Sequence, residues 1–168
     1  MQRLHIPRFP EPAATGSVTI RSTPSAAYRI ISDPPALSRF TAEAYAAEWA
    51  DGATGAAVGA RFRGRNRNGV RRWVTTCRIT DAEPDRRFAF EVTAGPPGIP
   101  ISRWQYDIAP AGDGEGEDGC TVTETNWLRV PLWFIPAAIM ITGIVNRPGA
   151  NGTHIATTLE RLKAHLEG

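Results

Sequence analysis

One carboxylate in the C-terminal half of the chain lies in a pattern that fits acid–base chemistry. The stretch Cys120–Leu128 alternates like a β-strand, so successive side chains point to opposite faces. One face carries Cys120, Val122, Glu124 and Asn126, and the other carries Thr121, Thr123, Thr125 and Trp127. We assign the first face to the interior, because Val122 is its apolar mid-strand member and a threonine-rich face suits solvent. This assignment places Glu124 inside the protein.

A buried glutamate is costly unless it is paired or protonated, and loss of water raises its pKa. A raised pKa is the usual way in which a general acid or base is prepared. Glu124 is therefore the candidate catalytic residue. Two alternatives stay open: a structural hydrogen bond to Asn126, Tyr106 or a helix residue, and a strand phase that is off by one residue.

The other chemically active residues do not form a recognisable catalytic set. Cys77 and Cys120 lie in strand-like stretches without the spacing of a disulfide framework or zinc site, so we expect reduced, buried thiols. His154 lies near the start of the last helix, with Asn151 and Thr158 at three and four residues from it. These three could form a polar edge of a cavity, and the alternative for His154 is a surface position. We expect no metal and no cofactor.

Bulky side chains recur with strand periodicity and could line a cavity or simply form the core. The alternation predicts that Trp73, Thr75 and Cys77 share one inward face, and that Phe88 and Phe90, and Trp104 and Tyr106, do the same on the next two strands. The predicted ligand-binding residues are Trp49, Phe62, Trp73, Thr75, Cys77, Phe88, Phe90, Trp104, Tyr106, Asn126, Trp133, Asn151, His154, Ile155 and Thr158.

Composition and charge limit the class of protein. A chain of 168 residues with 42% hydrophobic and 21% charged residues is typical of one globular domain. A net charge of +2 from 19 basic and 17 acidic residues is too balanced for a nucleic-acid footprint. Arg61, Arg63 and Arg65 alternate with Phe62 and Gly64, which favours a solvated face over a nucleic-acid stripe. We expect no nucleic-acid partner.

The order of elements follows from alternation and turn signals. We predict a strand over Ser17–Arg21, two short helices from Pro24 and from Ala36, and a meander of further strands. These strands are placed near Ala44–Trp49, Ala57–Arg65, Val70–Asp81, Arg86–Ala94, Ile101–Ala109 and Cys120–Leu128. The turns include Asn66–Gly69 and the acidic, glycine-rich Gly112–Gly119. Residues 1–14 are predicted to be an extended tail without a secretory signal, and residues 15–168 a single domain.

Two C-terminal segments complete the predicted fold. A helix from about Pro148 to Glu167 carries one apolar stripe that must pack on the sheet, formed by Ile155, Leu159, Leu162 and Leu166. The uncharged stretch Leu132–Val145, within residues 131–146, is too short for a membrane span of about 20 residues. We expect it to cover the mouth of a cavity. The alternatives are contact of Trp133 and Phe134 with a membrane surface, without stable insertion, and a protein interface.

Four stretches carry a resemblance to a known superfamily: Ser22–Pro34, Gly59–Gly69, Ala82–Glu91 and Thr157–Lys163. With the order of elements, they make nearly the whole chain similar to the START-like SRPBCC superfamily of polyketide cyclases and dehydrases, plant ligand-binding proteins and lipid-transfer domains. The resemblance implies an α+β helix-grip fold, in which a seven-stranded curved antiparallel sheet wraps around a long C-terminal helix. It also implies a cavity between sheet and helix.

Three functions are compatible with these features, because one fold hosts unrelated activities. The leading hypothesis is binding of a small hydrophobic or aromatic metabolite, or a lipid, in the internal cavity by a cytoplasmic protein. The first alternative is a cyclase- or dehydrase-like enzyme in which Glu124 acts as acid or base. The second is an interaction module, such as a homodimer, that packs through Leu132–Val145 and has a filled or collapsed cavity.

Overall fold

The computed structural model describes residues 11–112 and 119–168. Within these residues, seven strands form one antiparallel sheet in the order β1-β7-β6-β5-β4-β3-β2. The strands are β1 (Ala14–Ile20), β2 (Ala44–Ala50), β3 (Arg61–Asn68), β4 (Arg71–Glu83), β5 (Arg87–Ala94), β6 (Ile99–Pro110) and β7 (Cys120–Leu128). The helices are α1 (Pro24–Ile31), α2 (Pro34–Leu37), α3 (Ile135–Thr142) and α4 (Arg147–Glu167), with a 3₁₀ turn at Leu132–Phe134. The predicted helix-grip fold is confirmed.

The sheet is curved, and its concave face holds α4. The register skips Thr80 of β4 in its pairing with β5 and Ile101 of β6 in its pairing with β5, and such bulges bend the strands. The first strand closes this layer by pairing with the last, from Ala14 opposite Asn126 to Ile20 opposite Cys120. The sheet therefore surrounds α4 with the two sequence-distant strands side by side.

The C-terminal helix packs through the predicted stripe. Ile155, Leu159 and Leu162 are at most 3% exposed, and Leu166 is half-buried beside them. The close approach of α4 to β1 needs a glycine at position 16, since a Cβ there would lie 2.8 Å from Ile155 Cγ2. The apolar stripe thus determines which side of α4 faces the sheet, and the glycine determines how closely the helix approaches β1.

Several elements begin or end at other residues than predicted. β1 begins at Ala14 rather than Ser17, and residues 1–10 of the predicted tail lie outside the described residues. The predicted turn Asn66–Gly69 is shorter, because Asn66 stays in β3 and its side-chain amide donates to Thr75 Oγ1 at 3.1 Å. Gly69 turns the chain with φ of 58°, a left-handed conformation that glycine adopts at little cost. Residues 113–118 of the predicted acidic turn also lie outside the described residues.

The segment after β7 is helical. The 3₁₀ turn and α3 run over the end of the concave face, and α3 ends at Gly143, whose N–H donates to Ile139 O at 2.7 Å. We call residues 131–146 the cover segment. No helix in the described ranges has both the length and the apolar character needed to cross a bilayer.

Candidate functional site

A cavity of about 430 Å³ lies between the concave face of the sheet, the cover segment and α4. Its walls are mostly apolar. Of the residues predicted to bind ligand or act in catalysis, eleven line it: Phe62, Trp73, Thr75, Cys77, Phe90, Trp104, Tyr106, Glu124, Asn151, His154 and Thr158. The cover segment adds Phe134, Ala138, Ile139, Ile141 and Val145, none of which was among the predicted ligand-binding residues.

The inward phase of β7 is confirmed, and it places Glu124 in the cavity wall. Val122 is fully buried and Glu124 is 2% exposed. Tyr106 lies directly opposite Glu124 on β6, and its hydroxyl donates a hydrogen bond to Glu124 Oε1 at 2.7 Å. Glu124 Oε2 is buried and has no hydrogen-bond partner among residues 11–112 and 119–168. One oxygen of this carboxyl is thus held by the fold, while the other is buried without a partner in a residue that lines the cavity.

Burial changes the protonation of this pair. Loss of water raises the pKa of Glu124 from 4.5 to about 8, and the hydrogen bond from Tyr106 opposes only part of that rise. The pKa of Tyr106 is raised well above 10.0, first by burial and then by the neighbouring carboxyl. At neutral pH Glu124 is therefore mainly a neutral acid. Tyr106 donates to Oε1, which leaves Oε2 as the oxygen that can carry the acid proton.

A second polar group connects the sheet to α4. The side-chain amide of Asn126 donates to Arg103 O at 3.2 Å, and its Oδ1 accepts a hydrogen bond from Asn151 Nδ2 at 2.8 Å. Asn126 is fully buried and does not line the cavity, whereas Asn151 does. The hydrogen bonds of Asn126 hold Asn151 in place, so Asn126 acts on the site through its neighbour.

The cavity also has a charged rim, which no sequence pattern predicted. Arg147 Nη1 donates to Glu43 Oε2 at 2.7 Å, and His154 Nδ1 lies 3.5 Å from the same oxygen. All three residues line the cavity. Burial lowers the pKa of His154, Glu43 opposes this shift, and Arg147 adds to it, so the imidazole is neutral at pH 7. No local motif joins Glu43 to Arg147, because they lie far apart in the chain.

Five predicted ligand-binding residues lie outside the cavity wall: Trp49, Phe88, Asn126, Trp133 and Ile155. Phe88 and Ile155 are in the packed core, at 0% and 1% exposed. Trp49 packs edge-on against Phe62 with ring centroids 6.2 Å apart. Trp133 is 71% exposed and lies on the outer side of the cover segment. Alternation predicts which face of a strand points inward, but it does not predict which residues along that face border a cavity.

The thiols do not add reactive groups to the site. Cys77 and Cys120 are free and buried. Burial raises the pKa of Cys77 to about 12, so its thiol stays protonated at neutral pH. Among the described residues, no three side chains of the His, Cys, Asp and Glu types come close enough to hold a metal ion.

The fold, with this cavity between sheet and helix, is that of a helix-grip protein. The family model described as "Polyketide cyclase / dehydrase and lipid transport" matches residues 11–167. The chain belongs to this family. The match confirms the resemblance to the SRPBCC superfamily that the sequence indicated, while the family description covers both catalysis and transport.

Solved structures support the same fold. A Polyketide_cyc-like protein from Corynebacterium glutamicum is 28% identical, with a TM-score of 0.60 over 95% of this chain and 94% of that one. A protein from Deinococcus radiodurans is 18% identical, with a TM-score of 0.63 over 92% of this chain and 96% of that one. The di-domain ARO/CYC protein BexL of the BE-7585A biosynthetic pathway is 15% identical, with a TM-score of 0.60 over 92% of this chain and 46% of that one. No curated protein sequence is similar enough to support a comparison.

Proposed function

We propose that the protein binds a small, largely apolar metabolite in the cavity and that Glu124 holds a polar group of that metabolite. The cavity of about 430 Å³ has the size of known small-molecule sites, which span about 300–1,000 Å³. Apolar walls with a few convergent polar groups are the usual composition of such sites. The observation that carries the proposal is Glu124, which lines this cavity and whose buried Oε2 has no hydrogen-bond partner among the described residues.

The protonation of Glu124 defines the polar group of the ligand. A neutral carboxyl donates one hydrogen bond from Oε2, so the matching group is a carbonyl, ether or phenol oxygen. Leaving a buried donor unpaired costs about 1–3 kcal/mol, which a ligand oxygen recovers on binding. Trp73, Trp104 and Phe90 supply flat apolar surface around this point. The ligand class is therefore a compact hydrophobic or aromatic molecule with an oxygen at one end.

A pair of probes tests this anchor. 2-Naphthol and naphthalene differ by one hydroxyl group, and their affinities follow from competition with the fluorescent dye 1-anilinonaphthalene-8-sulfonate. We expect the protein to prefer 2-naphthol by about tenfold, the equivalent of one good hydrogen bond. Glu124→Leu should remove the preference, whereas Glu124→Gln, which keeps a donor, should retain it.

The exposed Glu48→Gln on β2 is the matched control, since its side chain pairs with Arg65 outside the cavity. It should leave both affinities unchanged. Equal affinity of the native protein for the two probes would contradict the anchoring role of Glu124. Failure of both probes to displace the dye would contradict the cavity as a binding site.

A second candidate function is catalysis of the cyclase or dehydrase kind. Its specific support is the pKa of Glu124, about 8, which lets the carboxyl gain and lose a proton near neutral pH. In such a reaction the Glu124 carboxylate would take a proton from the carbon beside a ligand carbonyl, leaving an enolate. The cavity wall would hold the reactive chain of the substrate in a folded conformation, which brings its reacting atoms together for ring closure.

Hydrogen exchange tests this chemistry without knowledge of the substrate. Acetophenone in D₂O loses its methyl protons on enolisation, which NMR follows directly. If Glu124 is a general base, the native protein should accelerate the exchange above the buffer rate and Glu124→Gln should not. Acceleration that persists in Glu124→Gln, or no acceleration by the native protein, would contradict this candidate.

The third hypothesis, an interaction module, predicted a filled or collapsed cavity. The open cavity counts against it as the main function. A homodimer remains a prediction, and it is compatible with ligand binding.

A further inference from the structure

The outer side of the cover segment is apolar and exposed. Seven of the eight residues of α3 are apolar: its inner side chains line the cavity, while Met140 on the outer side is 76% exposed. The 3₁₀ turn before α3 adds Leu132 at 85% and Trp133 at 71% exposed. A helix that is apolar all round is normally buried in a core or a membrane. A cluster of large exposed apolar side chains marks a contact surface.

The tip of the β3–β4 hairpin extends this surface. Asn68 Nδ2 donates to Thr142 O at 2.8 Å, and Arg71 Nε donates to Met140 O at 3.2 Å, so the hairpin and α3 are in direct contact. Val70 at the tip is 93% exposed. The tip thus places another exposed apolar side chain next to the cover segment.

The exposed charges of the hairpin tip are positive. Residues 52–80 contain seven arginines and no carboxylate, and residues 125–159 contain two arginines and no carboxylate. The neighbouring carboxylates are each paired: Asp51 with Arg61, Glu48 with Arg65, and Glu43 with Arg147. At the tip, Arg67 and Arg72 are exposed and lie over the ring of Tyr45, with guanidinium-to-centroid distances of 5.2 and 5.6 Å. Their charge therefore faces solvent beside the apolar cluster.

We propose that this surface docks reversibly on a bilayer that contains anionic phospholipid. The docking face consists of Val70, Leu132, Trp133 and Met140 with Arg67, Arg71 and Arg72. The apolar side chains enter the interfacial layer, and the arginines contact lipid phosphates, which is how peripheral proteins combine the two forces. A second copy of the chain fits less well, because a two-fold interface through this face would bring two sets of arginines together.

The cover segment connects the docking face with the cavity. The cover segment has its outer side in the docking face and its inner side in the cavity wall. A bilayer on the docking face would therefore replace water on the outside of the cover with an apolar medium. The proposal stands on surface composition alone, so it holds whether or not Glu124 anchors a ligand.

Vesicle sedimentation tests the proposal with the full chain. Phosphatidylcholine vesicles with and without about one third phosphatidylglycerol are compared at low salt and at about 0.5 M NaCl. We expect the protein to sediment with the anionic vesicles at low salt, to stay in the supernatant with phosphatidylcholine alone, and to be released by salt.

Two cross-strand arginine pairs of the same hairpin provide a matched comparison. Arg67 pairs in register with Arg72 at the tip, and Arg61 pairs with Arg78 at the other end. Each arginine near an anionic surface contributes about fivefold to the partition coefficient, so Arg67→Gln with Arg72→Gln should weaken binding about 25-fold. Arg61→Gln with Arg78→Gln removes the same charge and should change binding by less than about threefold.

The apolar part is tested in the same way. Leu132→Ser with Met140→Ser should weaken binding at least about tenfold. Val58→Ser, which changes an exposed apolar residue at the far end of the hairpin, should have no effect. Absence of sedimentation, equal sedimentation with both vesicle types, or equal losses in the two arginine double variants would overturn the proposal. So would a dimer in analytical ultracentrifugation that Leu132→Ser with Met140→Ser dissociates, because the face would then belong to a second copy.

Discussion

Replacement of Glu124 by glutamine tests whether the fold holds this carboxyl in its protonated form. Glutamine has nearly the same shape, can accept the hydrogen bond from Tyr106 through its own oxygen, and cannot ionise. The variant should therefore keep the packing of the β6–β7 pair while removing one titration. Any difference in pH dependence between the two proteins then belongs to Glu124.

The expected size follows from the change in pKa on folding. The carboxyl has a pKa of 4.5 in the unfolded chain and about 8 in the fold, so the folded state binds its proton more tightly. This stabilisation is fully present below the unfolded pKa and is lost as the pH rises through about 8. Linkage over this window gives a loss of about 4 kcal/mol in the free energy of unfolding between about pH 5 and about pH 9.

Urea unfolding followed by tryptophan fluorescence measures this quantity at each pH. The native protein should lose stability relative to Glu124→Gln, with most of the loss between about pH 5 and about pH 8. Glu48→Gln, at an exposed position, should follow the native curve. Parallel curves for the native protein and Glu124→Gln would refute the inference, since they would mean that Glu124 titrates alike in both states.

Three further predictions concern packing, polar contacts and thiol reactivity. Gly16→Ala should lower the free energy of unfolding by about 1–3 kcal/mol, because the added Cβ would lie 2.8 Å from Ile155 Cγ2; an unchanged urea midpoint would contradict this. Asn151→Leu should cost about 1–3 kcal/mol by leaving Asn126 Oδ1 without its donor, and the companion substitution Asn126→Leu should recover part of the loss in a double-mutant cycle. Cys77 should resist iodoacetamide at neutral pH in the folded protein and react after unfolding, because burial raises its pKa to about 12; rapid labelling of the folded protein, seen by mass spectrometry of the modified peptide, would show that the thiol is accessible.

Strand phase was predictable because alternation is a local property. A single apolar residue, Val122, was enough to place Glu124 in the interior, and the structure confirms that face. The stripe on α4 was predictable for the same reason, since helical periodicity decides which side chains meet the sheet. The family and fold followed from the order of such elements, and the family model confirms them.

The limits of the cavity were not predictable from local pattern. Phe88 and Phe90 share one face of β5, but only Phe90 borders the cavity, whereas Phe88 is fully buried in the core. The rim formed by Glu43 and Arg147 joins elements that only tertiary structure brings together. The outer exposure of Trp133 likewise depends on how the cover segment lies on the hairpin, which composition does not determine.

The pairing of β1 with β7 has a consequence for how the chain reaches its native state. Ser17 and Thr123, which are paired in this register, are 106 positions apart in sequence. Closing so large a loop costs conformational entropy before the contact stabilises the fold. Proteins rich in such contacts fold slowly, in about milliseconds to seconds. During synthesis β1 emerges long before β7 and α4. Until those elements are made, Val18 and Ile20 lack the residues on which they pack. Folding of this sheet is therefore a late, cooperative event, and a chaperone that shields the early strands would raise the yield of native protein.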